Sequence, residues 1–478
     1  MIMRLASVEG RARRGRSGGR EQGGERKLPE QICASASGAI SGTKPAMERG
    51  DKRSICERYD VVLYGATGFT GGYILRAVAG SPLFKDKTIA VAGRNGAKLK
   101  KALDDLAEET GNHSVICWPF IIADSSEEAS LPSMARRARV IINAVGPFHL
   151  HGEAVVKAAV ENGANYVDIS GEPAFLEKVQ LHYNDQAREN GVYIVGACGF
   201  DSIPCDLGVE YLKGHFPGTL AYAETVIRLI SGPSGYALNS GTYQSMILGI
   251  ASKRHDNLAA LHRSVMPQEL PKPAHLPPTR VPLWHCVEGE YNMWVMPFMG
   301  ADKSIVERSQ YHDFHVNGRR PVPINTYIGF DSFIRALLIA KWMAAFAALC
   351  WFEPTRKMLM AHPDRASLGM FKAEGPTHQQ IKEASFEYYF FGTGWGEEEK
   401  ARGSEERRPP TKKCSAVCRG PDVAYTAASG CVVASALALL NDHDKLPEKG
   451  GVYTSAAAFR DTKIFEYLKS FNISFEML

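Results

Sequence analysis

The sequence predicts an α/β protein in which a Rossmann-type, doubly wound parallel sheet is accompanied by a second α+β domain. Three observations support this fold class. From residue 59 to residue 196, short apolar runs rich in β-branched residues alternate with segments of helical periodicity. The first run ends in a glycine-rich turn, and the alternation stops near Cys205, where longer strand-like runs begin. Repeated alternation of strand and helix is typical of a parallel sheet with right-handed crossovers.

The glycine-rich turn joins a first strand at residues 59–64 to a helix over residues 72–79. In this setting Gly65 permits the turn, Gly68 lets the backbone approach a diphosphate, and Gly71 allows the helix to pack closely on the strand. The helix N-terminus presents free N–H groups to phosphates. A glycine triplet alone is weak evidence, but strand, turn and helix follow here in the required order. We therefore predict that the following residues bind a dinucleotide: Gly65, Thr67, Gly68, Phe69, Thr70 and Gly71.

Further strands and helices continue the alternation. The strands are predicted at residues 88–92, 115–123, 140–144, 166–168 and 192–196, and the helices at residues 97–109, 153–162 and 175–190. The carboxyl ends of parallel strands lie at one edge of the sheet, and ligands bind there. The loops that follow these strands should therefore face one crevice.

The chain divides into parts of different character. Residues 1–54 form a basic tail without apolar periodicity, which we expect to be disordered. Residues 55–218 form the nucleotide-binding domain, residues 219–396 form the second domain, and residues 397–413 form a charged linker. Within the second domain we predict an antiparallel sheet with strands at residues 224–231, 291–298 and 304–311 and a helix at residues 242–263.

The net charge of +4 is concentrated in the first 54 residues, which carry 12 Lys and Arg against 6 Asp and Glu. The rest of the chain has 44 basic and 46 acidic residues. A near-neutral body argues against nucleic-acid binding. The ten cysteines include no Cys-x-x-Cys pair and no zinc-ligand pattern, so we predict no metal site and reduced thiols in an intracellular compartment.

The residue after the second strand selects the cofactor. NAD sites place an acidic residue there, but this chain has Arg94 followed by Asn95. A guanidinium suits a 2′-phosphate, so we predict NADP(H) rather than NAD(H), with a solvated turn as the alternative for Arg94. Asp124, after the third strand, suits either an adenine contact or a helix N-cap. After the fourth strand, the turn with Asn143, Gly146 and Pro147 should lie under the nicotinamide end.

The sequence identifies the acid–base group less clearly. The crevice loops offer His149, His151, Asp168, Glu172, Cys198, Asp201 and Ser202. No Tyr-x-x-x-Lys pair exists in the chain, which excludes the proton relay of short-chain dehydrogenases. We select His151 and Asp201, because histidine titrates near neutrality and both residues lie on crevice loops.

Residues 336–352 form an apolar run interrupted only by Lys341. Three alternatives are open: a buried or interface helix, a helix lying on a lipid surface, and a membrane span. The span is the least favoured, because the run is at the short limit and its lysine is costly in a bilayer. If the helix lies on lipid, acidic residues at Leu338 and Phe346 should release the protein from liposomes.

Six segments together resemble the saccharopine dehydrogenase-like oxidoreductase family, which includes trans-acting enoyl reductases of lipid biosynthesis. They are GATGFTG at 65–71, AGRN at 92–95, NAVGPF at 143–148, YVDISGE at 166–172, GFDSIP at 199–204 and GGVYTSAAAF at 450–459. The resemblance implies that the second α+β domain is inserted into the Rossmann domain and that residues 414–478 return to it. The tail and the 397–413 stretch depart from the family pattern.

The resemblance also implies a function. It implies an NADP(H)-dependent oxidoreductase with a small-molecule, lipid-linked or otherwise apolar substrate, located at lipid droplets, at a membrane surface or in mitochondria. A homodimer is left open. The alternative is a catalytically silent nucleotide-binding scaffold on lipid surfaces, which would keep the glycine turn and Arg94 without turnover.

Overall fold

The computed structural model describes residues 58–200, 202–252, 257–288, 291–398 and 408–478. The basic tail, most of the charged linker and the predicted catalytic residue Asp201 lie outside the described residues. Two seven-stranded sheets organise the described part of the chain.

The first sheet is parallel throughout, as predicted, with the strand order β15-β6-β5-β4-β1-β2-β3. Its strands are β1 (Tyr59–Tyr64), β2 (Ile89–Gly93), β3 (Phe120–Ile122), β4 (Ala138–Asn143), β5 (Asn165–Asp168), β6 (Tyr193–Val195) and β15 (Gly451–Tyr453). The predicted third strand is shorter than expected, because a 3₁₀ helix occupies His113–Cys117. The chain runs outward in opposite directions from β1 and β4, so the crevice for a ligand opens between these two strands.

Helices cover both faces of this sheet. They are α1 (Phe69–Gly80), α2 (Gly96–Thr110), α3 (Leu131–Arg136), α4 (Phe148–Glu161) and α5 (Pro173–Glu189). The next helix, α6 (Ile203–His215), packs on strands of the second sheet instead. Val61, Leu63 and Val140 contact one apolar core, while Val62 and Ile141 contact a second core on the other face. Burial on both faces explains why the strands are continuous apolar runs rather than alternating ones.

The second sheet has the order β16-β14-β13-β7-β11-β10-β9. Its strands are β7 (Thr219–Ile230), β9 (Trp284–Glu288), β10 (Tyr291–Pro297), β11 (Ile324–Phe330), β13 (Ser385–Trp395), β14 (Lys412–Pro421) and β16 (Ser474–Met477). The prediction of an antiparallel sheet was wrong, because β7 and β11 are parallel. The long connection between these two strands contains helices as well as the strands β9 and β10, and it lets β11 run in the same direction as β7.

Seven helices and a short parallel ribbon complete the second domain as described. They are α7 (Ser240–Ser252), α8 (Leu258–Val265), α9 (Asp302–Asn317), α10 (Phe333–Cys350), α11 (Glu353–Ala361), α12 (Pro363–Ala366) and α13 (His378–Glu383), with the ribbon formed by β8 (Leu238–Asn239) and β12 (Phe371–Lys372). The predicted helix at 242–263 is therefore two helices.

The predicted strand at 304–311 is part of the helix α9. Its buried residues Ile305, Ser309 and Asp313 recur every four positions, which is a helical period rather than a strand period. Gly318, with φ of 66°, then ends the helix in the left-handed conformation that glycine adopts readily.

The C-terminal segment is divided between the two sheets. A π-helical turn at Val423–Ala427 leads into α14 (Ala428–Asn441), followed by α15 (Ser455–Phe459) and α16 (Ile464–Ser470). α14 packs on α1, β4 and β5, and β15 extends the first sheet. β14 and β16 instead pair in the second sheet, so the expectation that residues 414–478 return to the first domain applies to only part of them.

Candidate functional site

The glycine turn after β1 is built around close backbone contacts. Gly65 has φ of +90°, and a Cβ added there would lie 2.8 Å from Val145 Cγ2. A Cβ on Gly71 would lie 2.0 Å from the carbonyl oxygen of Gly65. No other residue type fits at Gly71 without a shift of the backbone. The two turns at the switch point of the sheet, after β1 and after β4, therefore touch each other.

The N-terminus of α1 suits an anion. Its N-cap, Gly68, is exposed and provides no side-chain hydrogen bond to the first turn, and Thr67 beside it is also exposed. The first N–H groups of a helix need partners, and a diphosphate supplies them. Since a Cβ at Gly68 would meet only the Gly65 carbonyl, at 3.3 Å, the turn leaves the backbone open to such a ligand.

Aromatic residues of the second half of the chain form a wall beside this turn. The ring of Phe69 lies edge-on to Tyr425, with centroids 4.8 Å apart, and Tyr73 hydroxyl lies 3.2 Å from His378 Nδ1. Gly375 has no room for a Cβ against Phe69. The sequence prediction assigned Phe69 to the cofactor site but missed Tyr425 and His378, because contacts across about 300 residues leave no local signal.

Three predicted residues converge at the ends of β2 and β3. Arg94 is exposed directly after β2, and Asn95 caps α2 by accepting a hydrogen bond from the N–H of Lys98 at 3.0 Å. The Asp124 carboxylate accepts the N–H of Ser126 at 2.9 Å. This hydrogen bond, together with the nearby charges of Arg94 and His151, lowers the pKa of Asp124. In the structure the Asn95 side chain therefore caps α2, and the Asp124 carboxylate is bonded within its own turn.

The turn after β4 rests on a buried hydrogen-bonded chain. Asn143 is fully buried; its Nδ2 donates to Tyr166 hydroxyl at 3.0 Å and its Oδ1 accepts the N–H of Val145 at 2.9 Å. Tyr166 hydroxyl donates to Asp168 Oδ2 at 2.8 Å. Burial raises the pKa of Asp168 to about 6, although hydrogen bonds from the N–H groups of Ser170 and Ala197 and from the Tyr166 hydroxyl act to lower it. Asn143 therefore holds the turn that carries Gly146 and Pro147 rather than facing solvent.

A carboxylate occupies the N-terminus of α4. Glu172 accepts the N–H groups of Phe148 and His149, at 3.0 and 2.9 Å, and His149 Nδ1 lies 2.8 Å from the same carboxylate. Burial acts to raise the pKa of Glu172, but the hydrogen bonds from His149 and the two N–H groups outweigh it, and the pKa is lowered. Because this helix end already holds an anion, α1 rather than α4 is the candidate helix for binding a phosphate.

The catalytic candidates fall into different environments. His151 is partly exposed in the first turn of α4, and its ring has no hydrogen bond within the described residues. The buried Cys198 thiol donates to the Val195 carbonyl at 3.3 Å, and burial raises its pKa far above the usual range. Cys198 therefore stays a protonated thiol and is no nucleophile.

A third buried carboxylate, which the sequence did not reveal, links three helices. Asp206 in the first turn of α6 accepts the hydroxyls of Ser309 and Ser455, each at 2.8 Å, and the N–H of Ala456 at 2.7 Å. Burial raises its pKa to about 7. Its partners lie about 100 and 250 residues away in the chain, so no local pattern could have identified it.

Asp206 should make stability depend on pH. Its pKa in the folded protein lies above the value of the unfolded chain, so the folded state binds the proton more tightly. The resulting stabilisation is complete below about pH 4 and is lost as the pH rises through about 7, by roughly 4 kcal/mol at most. Asp206→Asn keeps an acceptor oxygen but cannot titrate. Thermal melting across this range should therefore show a steeper fall for the natural protein than for the variant, and parallel profiles would contradict this assignment.

A parallel sheet with a glycine turn, an open helix N-terminus and a crevice between β1 and β4 is typical of the Rossmann class of dinucleotide-binding proteins. Residues 61–195 match the family model of the saccharopine dehydrogenase NADP-binding domain, and the cofactor is NADP(H). Two features are compatible with a nucleotide diphosphate at this site: the tight turn in which only glycine fits at Gly71, and the N-terminus of α1, which has no side-chain cap.

Curated relatives extend over nearly the whole chain. A Caenorhabditis elegans protein named "Lipid droplet localized protein" is 48% identical over 420 residues, covering 88% of this chain and 98% of the relative. The human saccharopine dehydrogenase-like oxidoreductase is 36% identical over 428 residues, covering 88% and 97%. An Arabidopsis thaliana relative, named a probable mitochondrial saccharopine dehydrogenase-like oxidoreductase, is 31% identical over 451 residues, covering 88% and 96%. The chain belongs to the saccharopine dehydrogenase-like oxidoreductase family.

Proposed function

We propose that this protein transfers hydride between NADP(H) and a lipid-linked or otherwise apolar small molecule at the surface of lipid droplets or membranes. The observation that best supports oxidoreductase activity is the tight glycine turn at the switch point of the parallel sheet. This turn lies within the residues that match the NADP-binding family model. The name of the Caenorhabditis elegans relative supports the lipid location, and that of the Arabidopsis relative supports a mitochondrial alternative.

Each part of the crevice has a separate role in this proposal. The nicotinamide cofactor supplies or accepts the hydride. The N–H groups at Gly68 and in the first turn of α1 bind the diphosphate, and Arg94 binds the 2′-phosphate. Gly146 and Pro147, held by Asn143, border the site of hydride transfer. The substrate's apolar part needs no charged partner, which agrees with the near-neutral body of the chain.

We propose His151 as the group that exchanges a proton with the substrate, together with Asp201, which follows β6 in the sequence and lies outside the described residues. His151 is partly exposed, has a ring without a hydrogen bond within the described residues, and its charge acts on the Asp124 carboxylate at the crevice edge. Imidazole gains and loses a proton near neutral pH, as an acid–base catalyst must. His149 is the weaker candidate, because Glu172 holds its ring.

The experiment is NADPH oxidation followed by nicotinamide absorbance with a panel of enoyl and carbonyl lipids. With an active substrate, His151→Ala should lower kcat by about 100-fold or more while leaving the NADPH dissociation constant unchanged, because proton transfer is removed but the cofactor cradle is not. His182→Ala, at an exposed histidine of α5, is the matched control and should keep full activity.

Two outcomes would contradict the proposal. Equal kcat values for the natural protein and His151→Ala would remove His151 from the mechanism. NADPH binding without oxidation across the whole panel would favour the alternative function, a nucleotide-binding scaffold on lipid surfaces.

A further inference from the structure

The segment from α10 to α12 concentrates exposed apolar side chains. Twenty large apolar side chains are exposed in the described residues, and eight of them lie between residues 333 and 368. They are Phe333, Ile334, Leu338, Leu349, Trp351, Phe352, Met358 and Leu368. Patches of this kind on an otherwise ordinary surface mark a contact with another apolar phase.

The exposed residues of α10 follow one stripe. Ile334, Leu338, Ala345 and Leu349 recur at helical spacing, and Lys341 lies between them, also exposed. The opposite side of the helix is anchored in the protein: Ala336, Phe346 and Cys350 are buried. The stripe is therefore held outward by the fold.

The anchoring side belongs to a separate apolar cluster. Phe346 packs with Tyr243 of α7 and Phe371 of β12, and Trp342 stacks on Phe346 with centroids 5.0 Å apart. The expectation that Phe346 faces lipid was therefore wrong, since it lies on the inner side of the helix. An acidic residue there would disrupt this cluster whether or not the helix contacts lipid.

A comparison with α14 shows that an apolar composition alone does not explain why α10 is exposed. Two helical segments, Phe333–Cys350 and Val423–Asn441, are long and apolar enough to cross a membrane by length and composition, and both have a mean hydropathy of 1.8. In the folded chain 83% of the second segment is buried, against 17% of the first. The second is a core helix, whereas the apolar surface of α10 is left without cover by the described residues.

The charges around the stripe are mainly positive. Residues 331–372 contain six Lys and Arg against three Asp and Glu, although residues 55–478 as a whole are nearly neutral. Two of the three acidic groups are paired: Asp331 with Arg228 at 3.1 Å and Glu353 with Lys357 at 2.8 Å. The cations are Arg335, Lys341, Arg356, Lys357, Arg365 and Lys372. An apolar stripe bordered by cations complements a lipid surface with anionic headgroups.

We propose that the α10–α11 surface docks on a phospholipid surface carrying anionic headgroups, with α10 lying in the interface. The stem of Lys341 extends past the apolar stripe and places its ammonium group among the headgroups. This inference rests on the proposed function and specifies the partner surface of that enzyme. Docking there brings the cofactor crevice near the lipid, because the ribbon of β8 and β12 joins the α10 cluster to Tyr425 beside the glycine turn: the N–H of Asn239 donates to Tyr425 hydroxyl at 2.7 Å.

The test is flotation of the full chain with vesicles of phosphatidylcholine, alone or mixed with phosphatidylserine. The natural protein should float with the mixed vesicles and much less with phosphatidylcholine alone, and added salt should weaken binding. Lys341→Gln with Lys357→Gln should weaken partitioning about 30-fold, since each cation near an anionic surface contributes about a fivefold factor. Leu338→Ser with Leu349→Ser should abolish flotation. Leu181→Ser, at an exposed leucine of α5, is the matched control and should float normally.

Two results would overturn the inference. Equal flotation with neutral and anionic vesicles would exclude headgroup selection, and a chain that ignores vesicles but dimerises through Leu338 and Leu349 would make the stripe an interface between copies. NADPH binding by the same variants in solution separates this proposal from the enzymatic one. It should be unchanged in every variant, and its absence in the natural protein would refute the oxidoreductase while leaving the docking result intact.

Discussion

Gly71→Ala is expected to abolish NADPH binding and to destabilise the protein by more than the roughly 1–3 kcal/mol typical of overpacked cores. The added methyl group would lie 2.0 Å from the carbonyl oxygen of Gly65 and 2.9 Å from its carbonyl carbon. These are backbone atoms at the switch point, so relief requires α1 to move away from β1. Nucleotide fluorescence titration and thermal melting measure the two effects.

Gly80→Ala is the matched control at the other end of α1. A Cβ there meets nothing within 4 Å, so the substitution should leave NADPH binding unchanged and raise stability by a few tenths to about 1 kcal/mol. If Gly71→Ala bound NADPH as tightly as Gly80→Ala, the diphosphate site would not lie at this turn.

Arg94→Ala should weaken NADPH binding by about 100-fold or more and NADH binding by less than about threefold. The guanidinium is exposed after β2, where it is available to form two charge-assisted hydrogen bonds with the 2′-phosphate, each contributing about 1.5–3 kcal/mol. NADH lacks that phosphate and loses nothing comparable. Dissociation constants for both nucleotides, measured on the same preparation, give the ratio directly.

Lys100→Ala removes a cation from α2 without touching the turn and serves as the control for general electrostatics. It should change both dissociation constants by less than about threefold. Equal losses of NADPH and NADH affinity in Arg94→Ala would assign Arg94 to the solvated turn that the sequence left as the alternative.

Much of the first domain could be predicted from the sequence because its signals are local. The run Val61–Leu63 and the glycines that follow it lie within a dozen residues, and each strand of the parallel sheet is a short apolar run followed by a helix. The second domain was harder. Residues 304–311 resemble a strand in composition, and only the spacing of the buried Ile305, Ser309 and Asp313 distinguishes a helix. The parallel pairing of β7 and β11 depends on a crossover of about 90 residues, which leaves no local pattern.

In the candidate site, too, the features with local sequence signals were predictable and the contacts between distant segments were not. Motif spacing placed Arg94, Asp124 and His151 on crevice loops, and in the structure the charges of Arg94 and His151 both act on the Asp124 carboxylate. Contacts between segments far apart in the sequence were not predictable. Asp206 joins helices from three distant segments, and Tyr425, near the C-terminus, contacts Phe69 at the glycine turn. One signal was available, since Tyr166 and Asp168 are two residues apart on one strand and therefore share a face.

The most direct test of the account is equilibrium titration of the full chain with NADPH and with NADH. We expect saturable NADPH binding at least tenfold tighter than NADH binding, because the α1 N-terminus binds the diphosphate of both nucleotides and Arg94 adds the contact to the 2′-phosphate. Failure of both nucleotides to bind, or tighter binding of NADH, would contradict the assignment of this crevice as an NADP(H) site.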